Sequence, residues 1–157
     1  MILIIVLIMT STMLLCSCGT DDIDISGYED EKITITGIAD KDITLTVADL
    51  KALDCITKKT ESTSDKIGKV RATGPTLETV LSQYGVSQKD FDSIRIYAPD
   101  DYDIKLSRDF LEKNDKIILA FGIDGKPLDD ESKPVRIIIP ESDSAYWIRM
   151  VNRIELI

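Results

Sequence analysis

Side chains suited to proton and nucleophile chemistry are thinly represented in this chain. Its 157 residues include no His. That removes Ser-His-Asp and Cys-His pairs, His-ligated zinc and haem, and any unperturbed proton shuttle near neutral pH. No Ser is followed three residues later by Lys, so the Ser-x-x-Lys nucleophile arrangement is absent. Gly68 to Gly74 has the outline of a phosphate loop, yet Pro75 stands where a Lys is needed. Asp124-Gly125 with Glu131 fits part of a calcium loop. The first two ligand positions are then Ala120 and Gly122, which have no side-chain oxygen. Asp100, Asp101 and Asp103 gather around Tyr102 and read as a solvated turn. No Cys-x-x-Cys is present, which leaves Cys16, Cys18 and Cys55 as the thiols to place.

Two of those thiols close an uncharged N-terminal segment. Residues 1–20 carry no charged side chain, and the run from Met1 ends in Leu15-Cys16-Ser17-Cys18-Gly19. The run is shorter than the about 20 apolar residues a spanning helix needs, and it fits the apolar core of an export signal. Its end resembles the lipobox of bacterial lipoproteins, with Leu15 at −3, Ser17 at −1 and Cys18 as the lipidated residue. Cys16 fits less well, because Leu15 would then sit at −1. The resemblance implies a signal peptide over 1–17 and an extracytoplasmic protein held at the bacterial cell membrane by lipid on Cys18. A diacylglyceryl group supplies the two chains that stable anchoring requires. Residues 18–31, rich in Asp, Glu and small residues, read as an acidic tether kept extended by like charge.

The remainder, 32–157, must fold on its own core, since a lone Cys55 gives no internal disulfide. The chain has 19 basic and 28 acidic residues, a net charge of −9. That excludes a nucleic-acid binder working by phosphate neutralisation. The hydrophobic share of 43% is that of a globular domain.

The elements alternate in kind. Period-two alternation predicts strands at Lys32-ITITGIA and Ile43-TLTV. Val47, Leu50 and Leu53 predict a short helix capped by Thr46, and Thr76-LETVLSQYG a second helix, capped by Thr76 and stopped by Gly85. CITKKT and Lys69-VRA form a predicted hairpin, with Thr73-Gly74-Pro75 as a break. Further strands are predicted at Ser93-IRIYAP, Tyr102-DIKL, Lys116-IILAFGI, Pro134-VRIIIP and Trp147-IRMVNRIELI, with a helix from Ser107. Strands outnumber helices and few are joined by crossover helices, so the expected class is α+β with a mixed β-sheet. On strand alternation, Trp147 and Arg149 share one face and Trp147 is partly exposed.

A series of segments in the second half carries a second resemblance. They are Gly74-Pro75-Thr76-Leu77 to Tyr84-Gly85-Val86; Ala98 to Ile104; Ile118 to Phe121 and Gly125-Lys126-Pro127-Leu128; Lys133-Pro134-Val135-Arg136 to Pro140; and Trp147-Ile148-Arg149 with Ile154-Glu155. In this order and spacing they resemble the sulfite oxidase-type molybdopterin-binding domain. The stretch ITITGIADKDITLTVADLKAL resembles that family's opening. The resemblance covers about 33–157.

The family's metal is held by a cysteine thiolate in a loop after the first hairpin strand. Here that loop is Thr60 to Asp65, TESTSD, without a cysteine. Cys55 lies too early in the strand and reads as a small, partly buried hydrophobe. The resemblance assigns no catalytic residue and no metal ligand. It assigns Arg149 and Arg136 as residues for the phosphate end of a cofactor. Two readings stay open. One is a non-catalytic binding or interaction module without a cofactor, its partner a small anion or a surface protein. The other is a molybdopterin-dependent oxidoreductase with a divergent site. On either reading residues 60–65, Asp143, Ser144 and Arg149 are expected to converge on one concave surface.

Overall fold

The structure is a computed structural model, and it describes residues 19–38, 41–64, 68–100 and 102–157. The expected signal peptide 1–17 and lipidated Cys18 lie outside these residues.

Alternating Ile and Thr in β1 (Lys32–Ile38) place Ile33 and Ile35 in the core. Strand β2 (Lys41–Thr46) returns antiparallel beside it. Thr46 then caps α1 (Val47–Lys51) in a capping box. The Asp49 N–H donates to the Thr46 hydroxyl at 3.0 Å, and the Thr46 N–H donates to the Asp49 carboxylate at 2.8 Å. Strands β3 (Cys55–Thr60) and β4 (Val70–Pro75) form the expected hairpin. The expected break at Thr73-Gly74-Pro75 is instead the end of β4. Gly74 pairs with Ile56 within the strand, and only glycine fits there because the Leu119 carbonyl occupies the place a Cβ would take.

Helix α2 (Leu77–Ser82) is capped by Thr76, and Gly85 beyond it has φ +73°. Then come β5 (Ser93–Tyr97), β6 (Asp103–Ser107) and α3 (Arg108–Lys113). The predicted strand at 116–123 divides into β7 (Ile118–Ala120) and β8 (Gly122–Ile123). A two-residue turn, Asp124-Gly125, with φ of 54° and 76°, leads into β9 (Lys126–Pro127). Strands β10 (Arg136–Ile138) and β11 (Arg153–Leu156) complete the chain.

Three sheets result: β2-β1-β11-β5-β6, β3-β4-β8-β9 and β10-β7. β1 and β11 run parallel and the other pairs antiparallel, so the sheet is mixed as expected. Register aligns Ile35, Ile154, Ile96 and Ile104 in one row across the large sheet. All four are buried, so the row is a continuous apolar seam.

Two expectations are corrected. Residues 18–31 do not form an extended tether in their described part. From Asp21 onward the chain lies on the domain, with Ile23, Ile25 and Tyr28 buried. The Asp21 N–H donates to the Thr57 hydroxyl at 2.9 Å, and its carboxylate pairs with Arg71 at 2.9 Å. Lys51 donates to the Ile23 carbonyl, and the buried Tyr28 hydroxyl donates to the Phe121 carbonyl. Apolar burial by three side chains outweighs the like-charge repulsion, which salt screens at the surface. The domain thus begins at Asp21 and not at residue 32.

The second correction concerns Trp147. It is 4% exposed, not partly exposed. Residues 144–151 are not a strand: Ser144–Tyr146 is a single 3-10 turn, and only Arg153–Leu156 is extended in a sheet. Period-two alternation therefore does not apply, and Trp147 and Ile148 are buried side by side.

Candidate functional site

The segment after β10 shapes a large concavity. The Ile137 N–H donates to the Ile148 carbonyl at 2.8 Å, and the Val151 N–H to the Val135 carbonyl at 2.9 Å. These bonds lay residues 148–151 alongside β10. Met150, at φ 55°, turns the chain there, and its N–H donates to the Ser132 carbonyl. Arg136 and Arg149 are brought to the same cavity of about 650 Å³, with Tyr102, Glu131, Ser144 and Trp147 also on its wall.

The two guanidinium groups differ in surroundings. Arg149 is exposed and has Glu131 at 3.6 Å. Arg136 is partly buried, and its Nε has no hydrogen-bond partner among the described residues. Burial first, and then the positive charge of Arg149, pull the Arg136 pKa below its ordinary value. The arrangement is a partly desolvated cation with an unpaired, buried Nε beside a second cation. Its chemical complement is an anion.

Beside this cavity the β3–β4 loop meets the segment after β10. The Glu141 N–H donates to the Thr60 hydroxyl at 3.3 Å and the Thr63 N–H to the Ser142 carbonyl at 3.0 Å. The Ser64 and Ser144 hydroxyls are 2.6 Å apart. The Trp147 indole N–H donates to the Ile139 carbonyl at 2.8 Å, which ties the segment to the core. Thr60, Ser62 and Ser64 are thus joined to residues 141–144, and Ser144 continues into the wall that holds Arg149. Asp65 lies outside the described residues. Sequence reasoning missed Glu131 as the partner of Arg149 and Tyr102 as a wall. The Tyr102 hydroxyl donates to the Ala145 carbonyl across 43 residues of chain, which no local pattern announces.

Cys55 sits at the far end of β3 from Thr60, opposite Pro75. Five residue steps of strand separate them, roughly 17 Å. Its thiol faces the Leu50 carbonyl at 3.5 Å, and burial followed by the Asp54 carboxylate pushes it up to about 11. The neutral thiol is the native form, so the stability it contributes is kept below the ordinary thiol pKa and declines as pH rises toward 11. Alkylation of the folded protein by iodoacetamide is accordingly expected to be slow at pH 8 and to accelerate only well above pH 9. Rapid alkylation at pH 8 would contradict this placement. Among the described residues no three His, Cys, Asp or Glu side chains gather to hold a metal ion.

Comparison with known proteins agrees with the architecture. The sulfane dehydrogenase SoxCD from Paracoccus pantotrophus superposes with a TM-score of 0.67 at 18% identity, over 82% of this chain. The match spans 38% of the SoxCD chain. No curated protein matches the sequence. Residues 21–157 match the oxidoreductase molybdopterin binding domain, beginning at the same Asp21 where the chain joins the fold. With that span matched and a mixed β-sheet domain of the sulfite oxidase type, the chain belongs to the oxidoreductase molybdopterin binding domain family.

Proposed function

We propose that this protein is a lipid-anchored, extracytoplasmic binding module that keeps the family's anion-holding side and has given up its metal chemistry. One observation carries the reading. The loop that stands where the family places its metal-binding cysteine offers Thr60, Ser62 and Ser64, whose hydroxyls are bonded to one another or to residues 141–144. A soft metal centre is suited by thiolate, and neutral hydroxyls do not replace it. Cys55 is distant along the strand and held as a thiol. The metal half of the cofactor therefore does not fit these residues, whereas Arg136 and Arg149 fit an anionic group of modest size. Glu131 sets negative charge beside Arg149 on the cavity wall, which disfavours a pyrophosphate. A small singly or doubly charged ligand is the better complement. Anchoring rests on the Leu15-Cys16-Ser17-Cys18 pattern and places the module at the bacterial cell surface.

Protein purified after native export is expected to carry molybdenum far below one atom per chain. Calorimetric titration with molybdopterin is expected to show no submicromolar binding. Near-stoichiometric metal, or submicromolar pterin binding abolished by Arg149→Ala, would establish the alternative, a molybdopterin-dependent oxidoreductase with a divergent site. Fatty-acid labelling of the exported chain, lost in Cys18→Ala, checks the anchor.

A further inference from the structure

We propose that the groove of the β3–β4 hairpin bordered by Lys58, Lys59 and Lys69 is the face this domain lays on an anionic membrane surface. The proposal rests on the lipid-anchor reading and adds an orientation to it. Asp21 is fixed to the hairpin at both ends: its N–H bonds Thr57 on β3, and its carboxylate pairs with Arg71 on β4. Only Gly19 and Thr20 lie between Asp21 and Cys18. Three residue steps of fully extended chain reach about 10 Å. A lipid on Cys18 thus holds the hairpin against the bilayer, since the expected acidic tether is absorbed into the fold.

Charge on this face has the matching sign. The chain as a whole has a net charge of −9, yet the described residues 55–64 and 68–75 hold four basic side chains and one acidic. Lys58, Lys59 and Lys69 border a groove of about 420 Å³ together with Glu61 and Glu141. Lys58 and Lys59 make no ion pair among the described residues, and Lys69 meets Glu61 only at 3.6 Å with both side chains exposed. Each net positive charge within a Debye length of an anionic leaflet multiplies association about fivefold. Three lysines against Glu61 and Glu141 leave this groove one net positive charge, and so a bias of about fivefold. The acidic remainder of the surface is repelled, and repulsion elsewhere sharpens the orientation.

The test uses the full chain, exported and lipidated, in vesicles of equal parts phosphatidylglycerol and phosphatidylcholine. A fluorophore is placed at Thr63→Cys on the hairpin loop or, for comparison, at Glu112→Cys on α3, which packs against β6. Cys55, half-buried and held as a neutral thiol, labels slowly beside them. A quencher fixed at headgroup depth is expected to quench residue 63 several-fold more than residue 112. The contrast should shrink in high salt, in pure phosphatidylcholine, and in Lys58→Glu/Lys59→Glu/Lys69→Glu with its melting curve intact. Equal quenching at the two sites, or a contrast indifferent to both salt and lipid charge, would overturn the orientation. Should the triple variant fail to fold, the salt and lipid series decides alone. Fatty-acid label on the same sample separates the two claims: label with no contrast refutes the docking face only, and absence of label refutes the anchor and the docking face together.

Discussion

Trp147→Ala lowers stability by about 3–5 kcal/mol, enough to unfold a marginal domain at physiological temperature. The indole is 4% exposed, and its N–H donates to the Ile139 carbonyl and the Ser142 hydroxyl. Truncation opens a void in the core and removes the peg that holds residues 141–149 over β10. Trp147→Phe separates the two contributions. It keeps much of the apolar volume, leaves a smaller void and loses the N–H bonds. Ser142 still donates to the Ile139 carbonyl at 2.8 Å, so that acceptor stays satisfied. The Phe variant is therefore expected to cost about 1–2 kcal/mol, less than the Ala variant. Denaturant melts of the three proteins check both magnitudes. As the only Trp in the chain, residue 147 also reports directly: its emission should be strongly blue-shifted and beyond the reach of acrylamide. Emission typical of exposed indole would contradict the burial.

The expectation that Trp147 is partly exposed failed for an instructive reason. Alternation locates a face only where the backbone is extended, and residues 144–151 combine a 3-10 turn with a left-handed residue at Met150. The conformation is imposed by bonds to Val135, Ile137 and Ser132, which lie more than ten residues away. Local signals were legible where local bonds decide the outcome. Thr46 with Asp49, and Thr76 with the Thr79 N–H, announce their helices by hydroxyl and carboxylate caps within three residues. β1, β5 and β6 were legible because each exposes one face and buries the other. Gly74-Pro75 looked like a break, but the glycine answers to the Leu119 carbonyl from a distant strand, which leaves no room for a Cβ within β4.

The N-terminal segment is a different case. Ile23 and Ile25 alternate with Asp22, Asp24 and Ser26, which is the same period-two signal as β1. Density of acidic residues masked it, although those carboxylates point to water and to Lys51 while the isoleucines are buried. For the site, Arg136 and Arg149 were legible as cations in a recognisable order. Their shared cavity follows from the pairing of 148–151 with β10, which only the fold supplies.

Arg136→Met separates binding from folding most sharply. Arg136 carries a partly buried guanidinium with an unpaired Nε, and Arg149 beside it adds like-charge repulsion. Such a group costs stability in the unliganded protein, and an apolar residue of similar length removes the cost while keeping the packing of the stem. Arg136→Met is expected to be as stable as the parent or more so, by up to about 1 kcal/mol, a rise of about 2–4 °C in Tm. The same change removes charge-assisted bonds worth about 1.5–3 kcal/mol, so affinity for a small oxyanion such as phosphate falls about 10–100-fold. Arg149→Ala behaves differently, because that side chain is 54% exposed and its Glu131 contact is long. Its stability cost stays under about 1 kcal/mol, and it weakens the anion less than Arg136→Met does. Melting curves with and without phosphate read both quantities at once, since bound ligand raises Tm only in variants that still bind. Gain of stability with loss of the phosphate shift marks Arg136 as a residue kept for a ligand. Loss of stability with the phosphate shift intact would instead make it a structural cation, and the cavity would no longer support an anion site.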